Sequence, residues 1–345
     1  MRRLLARLGR PERAALALLA LWVAWSSVAA VLASRMPSLT SPYVLSPVVL
    51  ILGVVLGRLL ATRVRGDVIT AGLVVVTTVL FLAVVWTDGP AKRPTAYANA
   101  NAALVVQVIG LCGLAMLGAG RAPRIVLWLT TAGAFAVIWA NSSKAAFAVA
   151  LPLLGAVALM AWRPARRAWW AVLIGAVSVT GASVVVVYLA GLAQWPPRAL
   201  QALDPARQSL WSDALSLWTS HPLAGGGPGS LAEYSALGRD PDTSSAHSSI
   251  LQVGAETGWV GVAILALIVL TGLLWSAQGA APYAVIGAAA WTALLVHSLT
   301  DHLLEFGPVV LAAGLTIGWA SAVRPRDGAP EGEDAGPSSV IATSG

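Results

Sequence analysis

Ten separate apolar runs constrain this chain more than any other feature. They lie at about 14–34, 43–61, 67–86, 97–118, 123–140, 144–162, 169–190, 249–275, 282–300 and 307–323. Each is close to the ~20 residues that carry a helix across the hydrocarbon core of a bilayer. Where water cannot reach the backbone, a helix pairs every N–H and C=O within its own segment. The composition agrees: 57% of residues are hydrophobic and 11% charged, against roughly 25% charged in soluble domains. The expected fold is all-α, a polytopic membrane helix bundle of about ten transmembrane helices, with one long extracytoplasmic loop containing an amphipathic helix. It divides into seven helices within 1–190, the loop at 191–248, three helices within 249–323, and a Pro/Gly/Glu/Ser-rich tail at 324–345 expected to be disordered. The basic N-terminus precedes an apolar run too long for a signal-peptide core, so an uncleaved first helix is expected.

The positive charges orient the bundle. With the N-terminus inside, fifteen of the 22 Lys and Arg residues fall on inner segments; Arg35, Lys92, Arg93, Lys144, Arg198, Arg207 and Arg239 fall on outer ones. That bias predicts both termini in the cytoplasm of a multi-pass inner or plasma membrane protein. The net charge of +7 reflects this asymmetry, and no nucleic-acid partner is expected. The single cysteine, Cys112, excludes an intrachain disulfide or a cysteine metal site. The same topology gathers all four histidines, His221, His247, His297 and His302, on the outer face. Titratable groups at that face are functional candidates.

Three features of the outer face carry chemistry. Asp204-Pro205 is a helix start, with Asp as N-cap and Pro at the first helical position. On the helix that follows, about 205–219, Arg207 falls between Trp211, Ala214 and Trp218, in the middle of the apolar face. It either snorkels on its long stem or meets an anion, for which its planar fork suits phosphate. Next, Ala246–Gly261 read as one helix puts His247, Leu251, Gly254, Gly258 and Gly261 within about 80° of arc, with Gln252 and Glu256 opposite. Such a strip suits close helix packing or the approach of a lipid-like ligand. Finally, His297 and Asp301 form an i, i+4 pair, and His302 and Glu305 follow. The cluster lacks HExxH-type spacing, so a hydrogen-bonded helix end is expected rather than a metal site. PLAGGGPGS at 222–230 has no GKS or GKT continuation and is not a nucleotide P-loop; a hinge or tight turn is expected there. Asn99, Asn101 and the NSSK segment ending at Lys144 sit at outer helix ends, where caps and snorkelling are the ordinary uses.

Taken together, these residues resemble the O-antigen ligase/polymerase superfamily of bacterial membrane glycosyltransferases. His247-Ser248, nine residues, then Gly258-Trp-Val-Gly261 fits the family's histidine motif. Arg207 through Leu215, followed by His221-Pro222 and Gly225-Gly-Gly227, looks like its "R…W..A… HP..G.G" run. PTAYANANAAL, with Ala100 where proline is frequent, resembles its "NPN..A" segment. NSSK, with Lys144 for arginine, resembles its "SRG" segment, and HSLTDHLLEFGP resembles its closing "H…D……P". The likeness spans roughly residues 90–320 in family order.

The resemblance implies a donor glycan on undecaprenyl diphosphate and a metal-independent, inverting transfer, without cofactor, to an acceptor hydroxyl at the outer leaflet. It implies that His247 and Arg207 are catalytic, and that Lys144, Asn99, Asn101, His221, Gly225, Gly227 and Asp301 bind the diphosphate or the acceptor. The Gly225–Gly229 segment would let the loop open and close over the donor. The partners implied are the lipid-linked donor, a glycan or lipid-glycan acceptor and the bilayer. A polymerase of the same superfamily uses the same donor face. A transporter without bond chemistry is the rival from another class; it would show charged groups at mid-membrane and matched repeats, whereas Gln107 is the only strongly polar residue read here as deep in a span.

Overall fold

The structure, a computed structural model, describes residues 10–87, 93–165, 167–240 and 243–324. Arg2, Arg3, Arg7, Lys92, Arg166 and Arg326, which enter the charge count, lie outside the described residues, as does the tail from 325. The described residues are helical throughout their ordered elements: α1 Arg10–Leu32, α2 Pro42–Arg63, α3 Gly66–Val85, α4 Ala98–Gly118, α5 Arg121–Ala140, α6 Lys144–Trp162 and α7 Trp169–Ala190. There follow α8 Pro197–Ala202, α9 Pro205–Ser220, α10 Ser230–Tyr234, α11 Ser249–Ser276, α12 Ala281–Ser298, a 3-10 turn Leu303–Glu305 and α13 Gly307–Ala322. Among these, nine helices are long and apolar enough to cross a membrane, and α13 is a shorter apolar helix. Each of the ten predicted runs corresponds to one of these ten helices.

Burial separates the centre of the bundle from its lipid-facing rim. The most apolar window of α4 is 83% buried and that of α12 61%, against 17% in α3 and α7. Side chains on the outer helices that face lipid gain nothing by being covered, so only one stripe of each is packed. Gln107 of α4 ties the centre together. Its Nε2 donates to Ala290 O of α12 at 3.0 Å, and its Oε1 accepts from Thr316 Oγ1 of α13 at 3.3 Å. Helices α2 and α13 meet backbone to backbone: a Cβ added at Gly57 would lie 2.2 Å from Leu315 O, and one at Gly318 would lie 2.1 Å from Val54 O. Small residues let membrane helices approach this closely.

Side-chain contacts sort the connections between two ends of the bundle. At one end Arg58 pairs with Glu12 at 2.7 Å, and Ala280 N donates to Val323 O. At the other, Arg35 pairs with Glu233, Asn141 Nδ2 donates to Ala98 O, and Lys144 Nζ donates to Gln201 O. The long connection at 191–248 caps this second end.

Helix α9 begins where the sequence says it should, with the Asp204 carboxylate accepting from Ala206 N at 2.8 Å. Its apolar face does not lie on a membrane surface. Leu210, Trp211, Ala214, Leu217 and Trp218 are buried against Val186 and Ala190 of α7 and Leu251 and Ala255 of α11. The amphipathic pattern is used inside the protein.

Candidate functional site

The glycine strip expected on one helix is not continuous. His247 precedes α11, in a left-handed conformation with φ 46°, and Ser248 is the N-cap. Gly258 then breaks α11 with φ 65° and ψ −167°. A break inside an apolar span frees backbone groups that lipid cannot satisfy, and the glycine-rich loop satisfies them. Gly226 N donates to Ala255 O at 2.8 Å, Gly227 N to Glu256 O at 3.0 Å, and Trp259 N to Pro222 O at 2.8 Å. Trp25 Nε1 covers Thr257 O at 2.9 Å. There is no room for side chains at this seam. A Cβ on Gly225 would lie 2.4 Å from the Glu256 carbonyl carbon, one on Gly258 2.3 Å from that of Leu223, and one on Gly254 2.3 Å from Trp218 Cε3. The strip is therefore a packing surface, and the Gly226 and Gly227 N–H groups are spent on α11.

The left-handed turn at His247 is held from behind. Ala246 N donates to Gln252 Oε1 at 2.7 Å, and Gln252 Nε2 donates to Glu256 Oε1 at 2.7 Å. Glu256 is buried within α11, so Gln107 is not the only strongly polar group inside a span. Helical spacing put Gln252 and Glu256 away from His247; because the histidine lies off the helix, they brace its turn instead.

Asp301 is the centre on which the other groups converge. It follows the end of α12 and is buried. His247 Nδ1 lies 3.3 Å from its Oδ1, and Asn99 Nδ2 and the Tyr97 hydroxyl donate to its Oδ2 at 2.7 and 3.0 Å. Arg207 Nη2 stands 3.6 Å from Oδ2. His302 Nδ1 is 3.0 Å from Oδ1, within ion-pair range but not aligned as a hydrogen bond. The Tyr97 hydroxyl also accepts from Asn99 and lies 3.3 Å from His247 Nδ1. The Tyr97 ring stacks on Phe306, with His302 beside it at 4.9 Å. The anion that Arg207 meets in the bundle is thus the protein's own carboxylate, and its side chain is only 17% exposed, so it does not snorkel. Burial alone would push the Asp301 carboxyl up. Hydrogen bonding to His247, contact with His302 and the Arg207 charge outweigh it and hold the carboxyl well below its ordinary range. Burial, then the Asp301 charge, pushes the Tyr97 hydroxyl above its usual value.

Of the residues singled out from sequence, the structure brings together Arg207, His247, Asn99 and Asp301, drawn from four separate places in the chain. Asn101 instead ties its own loop, donating to Arg93 O at 2.7 Å and accepting from Thr95 Oγ1. Lys144 is bound to Gln201 O at the exposed rim. His221 is exposed, 3.1 Å from Ser220 Oγ, and Gly225 and Gly227 belong to the seam. Among the described residues, the ligand atoms of His247, Asp301 and His302 lie within 4.8 Å of one another, a geometry that could hold a metal ion. His297 and Glu305 do not join them; both His297 ring nitrogens are buried without a hydrogen bond. Tyr97 was not singled out. The signal for it was present, since it stands two residues before Asn99 in the same motif.

No curated protein matches the chain. A family model described as O-Antigen ligase matches residues 125–266, a span that contains Arg207 and His247 but neither Tyr97 nor Asp301. Over that span the chain is similar to the O-antigen ligase family.

Proposed function

We propose that this protein is a membrane glycosyltransferase moving a glycan from undecaprenyl diphosphate to an acceptor hydroxyl, with inversion and without a metal, at the outer face of the cytoplasmic membrane. The observation that carries this reading is the convergence of an arginine, an imidazole and a buried carboxylate from α9, the start of α11 and the end of α12. Asp301 beside His247 Nδ1 favours the tautomer with its proton there, so the Nε2 lone pair can accept a proton. The acceptor hydroxyl gives its proton to His247 as its oxygen bonds to the anomeric carbon. The bond from that carbon to the diphosphate oxygen breaks, and undecaprenyl diphosphate leaves. Arg207 faces the charge that develops on the leaving oxygens. Tyr97 and Asn99 hold Asp301 in place and leave its ionised form fully hydrogen-bonded.

Metal binding at His247, Asp301 and His302 is the competing use of the same atoms. A guanidinium 3.6 Å from the carboxylate repels a dication, and Tyr97 and Asn99 already occupy Oδ2. The test is transfer by the purified chain in lipid nanodiscs from a synthetic polyprenyl-diphosphate glycan, with and without EDTA. Wild-type activity that survives EDTA and is lost in His247→Ala and Arg207→Ala supports the reading. Full activity in both variants removes the site. Whether the acceptor is a distinct molecule or another repeat unit is read in a deletion strain: long chains stranded on the carrier mean ligase, and single repeats left on the acceptor mean polymerase.

A further inference from the structure

His247 is buried, and its φ of 46° lies in the left-handed region, where L side chains are strained. A residue keeps such a conformation only where its surroundings over-determine it. The ring contributes long contacts, since Nδ1 is 3.3 Å from Asp301 Oδ1 and 3.3 Å from the Tyr97 hydroxyl. The residue's own N–H reaches Ser245 Oγ at 3.5 Å. The short bonds lie one residue earlier and one turn later. Ala246 N donates to Gln252 Oε1 at 2.7 Å, and Gln252 Nε2 donates to Glu256 Oε1 at 2.7 Å.

This chain of bonds is anchored at its far end. Gly227 N donates to the Glu256 carbonyl at 3.0 Å and Leu231 N to its Oε1 at 3.4 Å. The glycine-rich loop and the start of α10 therefore grip Glu256 through both its backbone and its side chain. At the near end, Gln252 N donates to Ser248 O at 2.9 Å. That bond sets Gln252 one turn into α11, from where its side chain reaches back over the N-cap to Ala246. The residue types are matched to their neighbours. Gln252 meets an N–H on one side and a carboxylate on the other, and an amide offers an acceptor to the first and a donor to the second. A carboxylate or an alkyl group at 252 would fail on at least one side. Both side chains are buried, so a group left without its partner there has no water to replace it.

We propose that Gln252 and Glu256 are positioning residues for His247. They exchange no proton with substrate; they lock the backbone turn that sets the imidazole beside Asp301. The proposal rests on the glycosyl-transfer reading only for what the imidazole then does. Without the lock the turn relaxes to negative φ and carries the ring away from Asp301.

The test uses the full chain in nanodiscs and two readouts. One is transfer from the synthetic polyprenyl-diphosphate glycan. The other is the ring resonances of isotope-labelled histidine, with those of His247 identified by their loss in His247→Gln. Gln252→Leu removes both bonds. Gln252→Glu sets one carboxylate against another, keeps the side chain's size, and serves if Gln252→Leu does not insert. Each should lower kcat about 10²-fold, as a displacement of about 1 Å can, with KM for the donor unchanged. Each should also move the His247 resonances and leave those of exposed His221 in place. The exchanged pair Gln252→Glu/Glu256→Gln reverses the bond between the two side chains and keeps an acceptor for Ala246 N. It should restore both kcat and the His247 resonances. Unmoved His247 resonances in the single variants, a raised KM with kcat intact, or an exchanged pair no better than Gln252→Glu would overturn the proposal. Resonances that move and return as expected, in a chain whose wild type transfers no glycan, would remove the glycosyl-transfer reading and leave the positioning in place.

Discussion

Asp301 sets the electrostatics of the site, because one buried carboxylate takes contacts from Arg207, His247, His302, Tyr97 and Asn99. Its pKa is depressed, so the stability it adds is present above the unfolded carboxyl value of ~3.9 and is lost as pH falls through the lower folded value. Thermal unfolding of wild type and Asp301→Asn should therefore still differ at pH 5, and the gap should close only in stronger acid. Replacing His247 by Ala removes the proposed base, and transfer should fall by about 10²–10⁴-fold with membrane insertion intact. Lys144 offers a contrast. Its ammonium is bonded to a carbonyl at the exposed rim, and exposed contacts of this kind are worth roughly 0–1 kcal/mol. Lys144→Ala should keep transfer within about tenfold of wild type, whereas Arg207→Ala should lose about 10²–10³-fold.

The element that positions the site is the broken helix α11 with the loop folded into its break. The two motifs that read as separate, a histidine followed by Gly-x-x-Gly and a His-Pro followed by spaced glycines, are the two sides of one backbone seam. Gly258→Ala tests this. Its Cβ would collide with the Leu223 carbonyl carbon and its φ of 65° strains any L side chain, so a loss of about 1–3 kcal/mol is expected. The measurement is the thermal midpoint in nanodiscs. An unchanged midpoint together with wild-type transfer would show that the seam is not needed to hold His247. In the hinge expected at Gly225–Gly229, the Gly226 and Gly227 N–H groups are bound to α11 and that of Gly225 to His221 O, so opening there would break the two bonds that close the seam.

At the scale of the molecule, α4, α12 and α13 form a buried centre fastened by Gln107, and the remaining spans surround it. The functional end is built from the short connections before α2, before α4 and after α12, together with the long one before α11. A packed scaffold that holds candidate binding groups on its loops is a common division of labour in proteins. In the proposed mechanism no step needs a divalent ion, so EDTA should leave the transfer rate unchanged. Reproducible inhibition, reversed by a divalent ion, would instead assign His247, Asp301 and His302 to a metal.

The spans were legible in the sequence because hydropathy over twenty residues is a local property, and lipid reports it without help from the fold. Asp204-Pro205 fixed the start of α9 for the same reason: a cap acts within four residues. Arg207 in the middle of an apolar face announced that an anion would be needed, but periodicity could not say which one; Asp301, ninety-four residues later, is supplied by helix packing. Helical spacing failed at His247 and Gly258, where the backbone takes positive φ and the 100° count no longer applies. Sequence alone determined a membrane bundle with basic and imidazole groups at its connections. Only the tertiary structure decided which of them share a carboxylate, because contacts between distant segments depend on how the helices pack and not on the order in which they are written.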